Sequence, residues 1–365
     1  GIIMATFLQL TNRVLNELNE VELTSANFSS SRGVQTMVKN VVNKSIHDIY
    51  NSEVEWSYLY TAKNQVTTAG TRQYDYPTDA RKVNFNSFVL TPKDLITNGD
   101  FTANITSWTT VSGSPAQTSA TGNGALRLNA AEVTQAISTV VNTEYVVRTR
   151  TVGGDITLKI GTSSGGTQIS STTLSIDNLG DGEYNTTKFT ATATTTYIGL
   201  ANSASANYDV DSIEVVENMQ PQRLVYLSYN EWLDTHSESD LNVTQSSQFG
   251  IPRYVYRDPS NGSFGLSPIP DKSTYNIAFD YYATHTDLDA HGDTPTLPTR
   301  FHDIVVNRAK YYAYMMRANM AGAQLAEKDY MEGIKRMRVE LINHQNYFYP
   351  AGIAGNTRNF VGVNT

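Results

Sequence analysis

The chain has 365 residues, 39% hydrophobic and 17% charged, with a formal net charge of −8 and no cysteine. The missing cysteines exclude disulfides, thiolate metal sites and a cysteine nucleophile, and the acidic balance argues against a protein built to grip phosphates. No run approaches the roughly 18 consecutive apolar residues of a membrane span. The first ten residues lack a basic segment before polar Thr11, Asn12 and Arg13, so no signal peptide is expected.

In chain order, Phe7, Leu10, Val14 and Leu18 fall at helical spacing within residues 5–20. Ser29 to Ser31 offer an N-cap for a longer helix ending near Trp56, with Val34, Val38, Val41, Ser45 and Ile49 as its stripe. Strand-like text follows at 57–68, 72–77 and 81–90. The composition then breaks at "TPKDLITNGDFTANITSWTT", residues 91–110. Between Leu95 and Glu217 there is no Met, no His and a single proline, Pro115. Alternating or β-branched runs recur at 144–152, 155–161, 172–176, 185–193, 195–203 and 210–216, punctuated by Gly, Asn and Asp. Short strands at regular spacing predict an all-β sandwich of about 120 residues. Beyond it come strands at 222–229, 252–258 and 274–284, with a hairpin turn at Asn261-Gly262. A helix at 299–319 places Phe301, Val305, Ala309, Tyr312 and Met316 on one face. A second, at about 324–348, places Ala326, Tyr330, Ile334, Met337 and Leu341 on one face. From Pro350 the chain is polar and rich in Gly and Asn, as an arm or tail would be.

These elements predict an α+β multidomain protein: a helical bundle with a small antiparallel sheet, carrying an inserted all-β jelly-roll sandwich. The expected segments are 4–92 and 219–349 for the broken outer domain, 93–218 for the insert and 350–365 for the tail. The strand ending at Leu90 and the one starting near Gln222 are expected to be neighbours, with Pro92 and Pro221 at the two seams. Exposed loop tips are where such insertions succeed.

No catalytic motif emerges, and no enzyme or cofactor is expected. Asp287, Asp289, His291, Gly292 and Asp293 imitate the first half of an EF-hand loop, but its twelfth position is Pro298. His302 reads as a packing histidine, and Glu231 and Asp234 as ordinary helix residues. Ser228 lacks a nucleophile elbow. Lys335, Arg336 and Arg338 form a basic run that is a solvated helix face or a contact with an acidic protein surface or passing DNA.

The flanks resemble phage head-to-tail adaptor proteins of the tail tubular protein A type. The matching text runs from 250 to 338: an R-Y hairpin, a P-x-P turn, an aromatic strand, "DTPTLPTRFH" before a helix, and a helix-loop-helix. The resemblance implies a structural virion protein in the phage neck or tail, made in the host cytoplasm. It would form a 12-mer ring, with a portal protein above and a tail nozzle protein and tail fibres below. DNA would pass through the channel without specific binding, and no membrane is involved. Lys335, Arg336, Arg338 and the apolar stop Tyr347, Phe348 and Tyr349 are the expected interface residues.

The insert resembles carbohydrate-binding modules of family 4/9, through "LITNGDF", the Trp108 after it, and the closing "YDVDSIEV". This implies the alternative function, host attachment through glycans. The aromatics available as a platform are Trp108, Tyr145, Tyr184, Tyr197 and Tyr208, and in such modules the early Trp is often core. The same resemblance implies a structural calcium near the joined ends of the sandwich, with Asp100 and Asp209 or Asp211 as ligands. Those carboxylates alone do not fill the roughly six to eight oxygen positions calcium takes.

Overall fold

A computed structural model describes residues 5–119, 122–175, 184–241, 246–259 and 262–342. The helices are α1 (Phe7–Glu17), α2 (Val34–Asn51), α3 (Tyr229–Thr235), α4 (Ser237–Asp240), α5 (His302–Met316) and α6 (Met320–Leu341). The strands before the β-sandwich are β1 (Tyr60–Val66), β2 (Gln73–Asp75), β3 (Ala80–Val83) and β4 (Val89–Pro92). Within it are β5 (Thr109–Ser112), β6 (Ala116–Thr118), β7 (Ala125–Leu128), β8 (Ala131–Ser138) and β9 (Glu144–Val152). They are followed by β10 (Ile156–Gly161), β11 (Ser170–Leu174), β12 (Asn185–Thr190), β13 (Thr195–Asn202) and β14 (Tyr208–Glu217). After it come β15 (Gln222–Arg223), β16 (Val225–Leu227), β17 (Tyr254–Arg257), β18 (Ser263–Ser267) and β19 (Tyr275–Ala283). Among the described residues no helix is long and apolar enough to cross a membrane.

The chain divides into two compact units. The first comprises Gly1–Lys63, Tyr76–Asn84 and Phe279–Thr365. Its helices α1, α2, α5 and α6 share one core, in which Val14, Val38, Ile304, Val305, Ile334 and Met337 are buried. Each such side chain removed from water contributes about 1.5–3 kcal/mol. α1 starts at a capping box. Thr6 Oγ1 accepts from the Gln9 amide at 3.3 Å, and Gln9 Oε1 accepts from the Thr6 amide at 3.0 Å.

α2 departs from expectation at both ends. Gly33, at φ 56°, precedes its first residue, so the serines at 29–31 do not cap it. The helix stops at Asn51, yet Trp56 still reaches back: it is fully buried and donates Nε1–H to the Ile49 carbonyl at 2.9 Å. The expected stripe of α6 is buried throughout, extended by Ala323 and Gly333. At Gly333 the helices approach so closely that a Cβ would lie 2.7 Å from Ile304 Cγ1. On α5, Met316 is 65% exposed and the inward position belongs to Ala313. The helix ends at Met316, whose side chain lies outside the core.

The second unit comprises Asn64–Asp75 and Phe85–Ala278. Ten of its strands form two five-stranded antiparallel sheets, in the orders β11-β10-β13-β8-β5 and β12-β9-β14-β7-β6. Alternate side chains meet in one core: Val133, Leu158, Ile160, Ile198 and Leu200 from the first sheet; Leu126, Val147, Phe189, Val210 and Val215 from the second. Trp108 belongs to this core, 5.6 Å from the Phe101 ring, with Nε1–H donated to the Asn98 carbonyl at 3.2 Å.

Outside the sandwich, β4 pairs antiparallel with β15, Leu90 opposite Gln222, and with the first residues of β19, Pro92 opposite Tyr275. The two chain ends of the sandwich therefore leave from adjacent strands, as the seam argument expects. A further sheet runs β16-β17-β18-β2. The expected strand at 222–229 is in fact two short strands, after which Ser228 caps α3 by accepting from the Glu231 amide at 3.2 Å. Trp232 of α3 is buried and stacks on Tyr256, ring centroids 4.3 Å apart. Asn261, Tyr347, Phe348, Tyr349 and the expected tail lie outside the described residues.

Candidate functional site

The stretch "DLITNGDF" forms one wall of a groove in the sandwich, and each of its residues has a local reason to be there. Leu95 donates its amide to the Val215 carbonyl and Gly99 accepts from the Ile213 amide, so the segment runs alongside β14. Asp94 Oδ1 accepts from the Ile96 and Val215 amides, both at 3.0 Å. Burial pushes the Asp94 carboxyl up; those two amides oppose the shift, and nearby Glu214 adds to it. Thr97 is held by Gln135, whose Oε1 accepts from its amide at 2.8 Å and whose Nε2 donates to its carbonyl at 2.9 Å. Gly99 must be glycine, because a Cβ there would lie 2.1 Å from the Ile213 carbonyl oxygen. Phe101 then turns into the core, fully buried.

Across from this segment lie β9 and β12. The groove between has a volume of about 820 Å³ and is lined by Asp94, Ile96, Asp100, Arg148, Tyr184 and Glu214, among others. Arg148 Nη1 and Glu214 Oε1 are 2.8 Å apart, on directly opposed residues of β9 and β14. Tyr184 is 50% exposed. The other aromatics available as a sugar platform are spent or less open: Tyr145 is fully buried, Trp108 is core, and Tyr197 and Tyr208 are half-buried.

Each residue expected to bind calcium has surroundings of its own. Asp209, on β14 opposite Arg127 of β7, is 6% exposed and accepts from Arg127 Nε at 2.9 Å and Nη2 at 2.8 Å. Asp211 sits at a bulge in β14 and pairs with Arg150 at 3.2 Å. Asp100 lines the groove. Among the described residues no group of three or more His, Asp or Glu side chains is placed to hold a metal ion. Arginine neutralises both β14 aspartates, so their charge requires no cation. In the EF-hand-like loop Asp293 instead accepts from the Asp289 and Ala290 amides, both at 2.8 Å.

The basic run on α6 separates into two kinds of residue. Lys335, Arg336 and Arg338 are all exposed. Arg338 donates to the Ser52 carbonyl at 2.9 Å and lies 3.9 Å from Glu53, tying α6 to the end of α2. Arg336 stands 5.9 Å from the Phe301 ring. His302 opens α5, buried at 2% exposure, with Nε2 3.0 Å from the Leu297 carbonyl. Its role is packing.

Residues 168–347 match the model of the SU10 adaptor protein family. This adaptor match takes in the last strands of the sandwich, all the strands and helices after it, and the residues Asp209, Asp211, Lys335, Arg336, Arg338 and Tyr347. Asp94, Asp100 and Arg148 lie before it. No curated protein matches the chain. Among solved structures, the chain is similar to TmCBM61 in complex with β-1,4-galactotriose, 13% identical over 34% of this chain and 99% of that one, TM-score 0.26. It is similar to the CBM22-1 xylan-binding domain of Paenibacillus barcinonensis Xyn10C, 11% identical over 36% of this chain and 97% of that one, TM-score 0.26. It is also similar to the enzymatically active domain of bacteriophage CBA120 tailspike protein 4, 11% identical over 34% of this chain and 21% of that one, TM-score 0.26.

Proposed function

We propose that the chain is a structural virion protein, a phage head-to-tail adaptor whose copies form a 12-mer ring between a portal protein and a tail nozzle. The observation that carries this reading is the adaptor-family match over residues 168–347. In it, the four helices sharing one core are the adaptor bundle, and the sandwich is an insertion between β4 and β15. The net charge of −8 suits a channel for DNA, because an acidic surface repels phosphates that a basic lining would hold. The protein acts by shape and assembly, without catalysis. Mass photometry and electron microscopy of the protein with a portal ring test the reading. Rings of twelve copies docked coaxially on the portal are expected; a protein that stays monomeric beside portal at every ratio overturns it.

The second reading is attachment to host-surface glycans through the sandwich. The observation favouring it is the groove beside β14, into which the half-exposed ring of Tyr184 opens. A glycan array probed with the full chain tests it, and an array without a single reproducible hit removes it.

A further inference from the structure

We propose that the groove beside β14 takes an uncharged oligosaccharide, with one sugar ring stacked on Tyr184 and its hydroxyls bonded to Asp100, Glu214 and Arg148, and that it rejects acidic glycans. This rests on the second reading above and adds the contacts and the class of ligand.

The first argument is the aromatic. Sugar rings present apolar C–H faces that pack on an aromatic ring, whose phenol can still bond water or a hydroxyl. Of the five aromatics in the sandwich considered above, only Tyr184 is more than half-buried in neither core nor sheet: it is 50% exposed and lines the groove. It stands just before β12, and Thr186 of that strand lines the same groove.

The second argument is size and make-up. A volume of about 820 Å³ lies in the usual range of ligand clefts, roughly 300–1,000 Å³. Ile96 and Ile213 supply apolar surface, while Asp100, Arg148 and Glu214 supply convergent polar groups. Carboxylates accept from hydroxyls and the guanidinium donates to them, so adjacent hydroxyls on one ring can be met by both. Ser212 Oγ is a further polar atom of the lining, buried and without a partner among the described residues.

The third argument is charge, and it selects the ligand class. The lining holds three carboxylates, Asp94, Asp100 and Glu214, against one guanidinium, Arg148. Arg148 is already paired with Glu214 at 2.8 Å. Asp94 is committed to two backbone amides and Asp100 is exposed. A sialylated, phosphorylated or uronic-acid sugar would meet excess negative charge with no unpaired cation of the lining to receive it, and like-charge juxtaposition suppresses a wrong partner strongly. A neutral chain meets acceptors for its hydroxyls.

The experiment uses the full chain on a glycan array holding neutral and acidic sugars, followed by titration of the best neutral oligosaccharide. Hits confined to neutral glycans are expected. Tyr184→Ala should weaken binding at least tenfold, and Asp100→Asn at least threefold, with unchanged melting temperature for both. Phe would keep the stack, so Tyr184→Phe should bind within about threefold of the parent. Asp100→Lys should admit acidic sugars. Hits dominated by acidic glycans overturn the inference and leave the glycan reading standing. Neutral hits indifferent to Tyr184→Ala place the ligand elsewhere and also overturn it. No hit of either kind removes both.

Discussion

Lys272 Nζ lies 2.7 Å from Glu217 Oε1, joining the loop before β19 to the last residue of the sandwich. Thr274 Oγ1 donates to the other carboxylate oxygen at 3.2 Å, and the Thr274 carbonyl accepts from the Lys93 amide at 2.9 Å. The two side chains are only 23% and 12% exposed. Both seams of the sandwich are thus stitched to one short stretch of chain.

Removing one partner leaves a poorly solvated charge. Lys272→Met should therefore destabilise the full chain by about 1–3 kcal/mol, the cost of an uncompensated buried polar group. Hydrogen exchange should quicken at Lys93, Leu95 and Val215, whose amides are bonded at the seam. Unchanged exchange there would mean that the ion pair does not hold the seam.

If the sandwich is an insertion, its removal should spare the helices. Deleting residues 94–218 and joining the ends with a short Gly/Ser linker should keep the helical circular dichroism, because Leu90 and Gln222 are already paired neighbours. A largely unfolded deletion chain would show that the sandwich is part of the core fold.

The pH dependence of stability should carry the mark of His302. Burial holds its imidazole below the ordinary histidine value, against the opposing Leu297 hydrogen bond, and burial together with His47 does the same for His285. In the unfolded chain both protonate near pH 6.5. Above that pH both states are neutral and the stability is fully present. As pH falls through it the unfolded chain binds protons that the folded one refuses, and stability is lost. Urea melts from pH 7.5 to 5 should show this fall, and His302→Gln should flatten it. An equal slope in the variant assigns the fall to other groups.

Much of this organisation is legible in the sequence because it is local. The spacing of Tyr330, Ile334, Met337 and Leu341 gives the buried face of α6, and the alternation in 195–202 gives the inward Ile198 and Leu200 of β13. What stays hidden is set by distant neighbours or by a single dihedral. The positive φ of Gly33 moves the start of α2 past the serines that look like caps. Asp209 and Arg127 are 82 residues apart, and only strand register makes them opposites. Alternation places Tyr145 and Tyr184 on strands or at their ends, but not which one faces core and which faces water.

The Arg127–Asp209 pair makes a prediction against calcium. Arg127→Met would strand a carboxylate that is 6% exposed, costing about 3 kcal/mol, the lower end for breaking a buried pair. The parent should melt at the same temperature in millimolar Ca²⁺ and in chelator, because its β14 aspartates already have arginine partners. A melting temperature that rises with Ca²⁺ and returns with chelator would restore the calcium site.

The basic run on α6 offers the last test, since its residues do different things. Arg338 is occupied within its own unit by Ser52 and Glu53, so Arg338→Gln should lower stability slightly and leave docking to the portal unchanged once the protein is folded. Its ion pair is exposed and long, so the loss should not exceed about 1 kcal/mol. Lys335 and Arg336 point their charge outward from the helix that the adaptor match covers. Charge reversal at both, Lys335→Glu with Arg336→Glu, should leave the melt nearly unchanged, because solvated surface charges contribute little. It should weaken portal docking and reduce its dependence on salt, since screening acts on exposed charge pairs across an interface. Co-sedimentation with portal rings at low and high salt separates the outcomes. Docking by the reversed variant that matches the parent at both salt concentrations would return Lys335 and Arg336 to an ordinary solvated helix face and move the portal contact elsewhere on the chain.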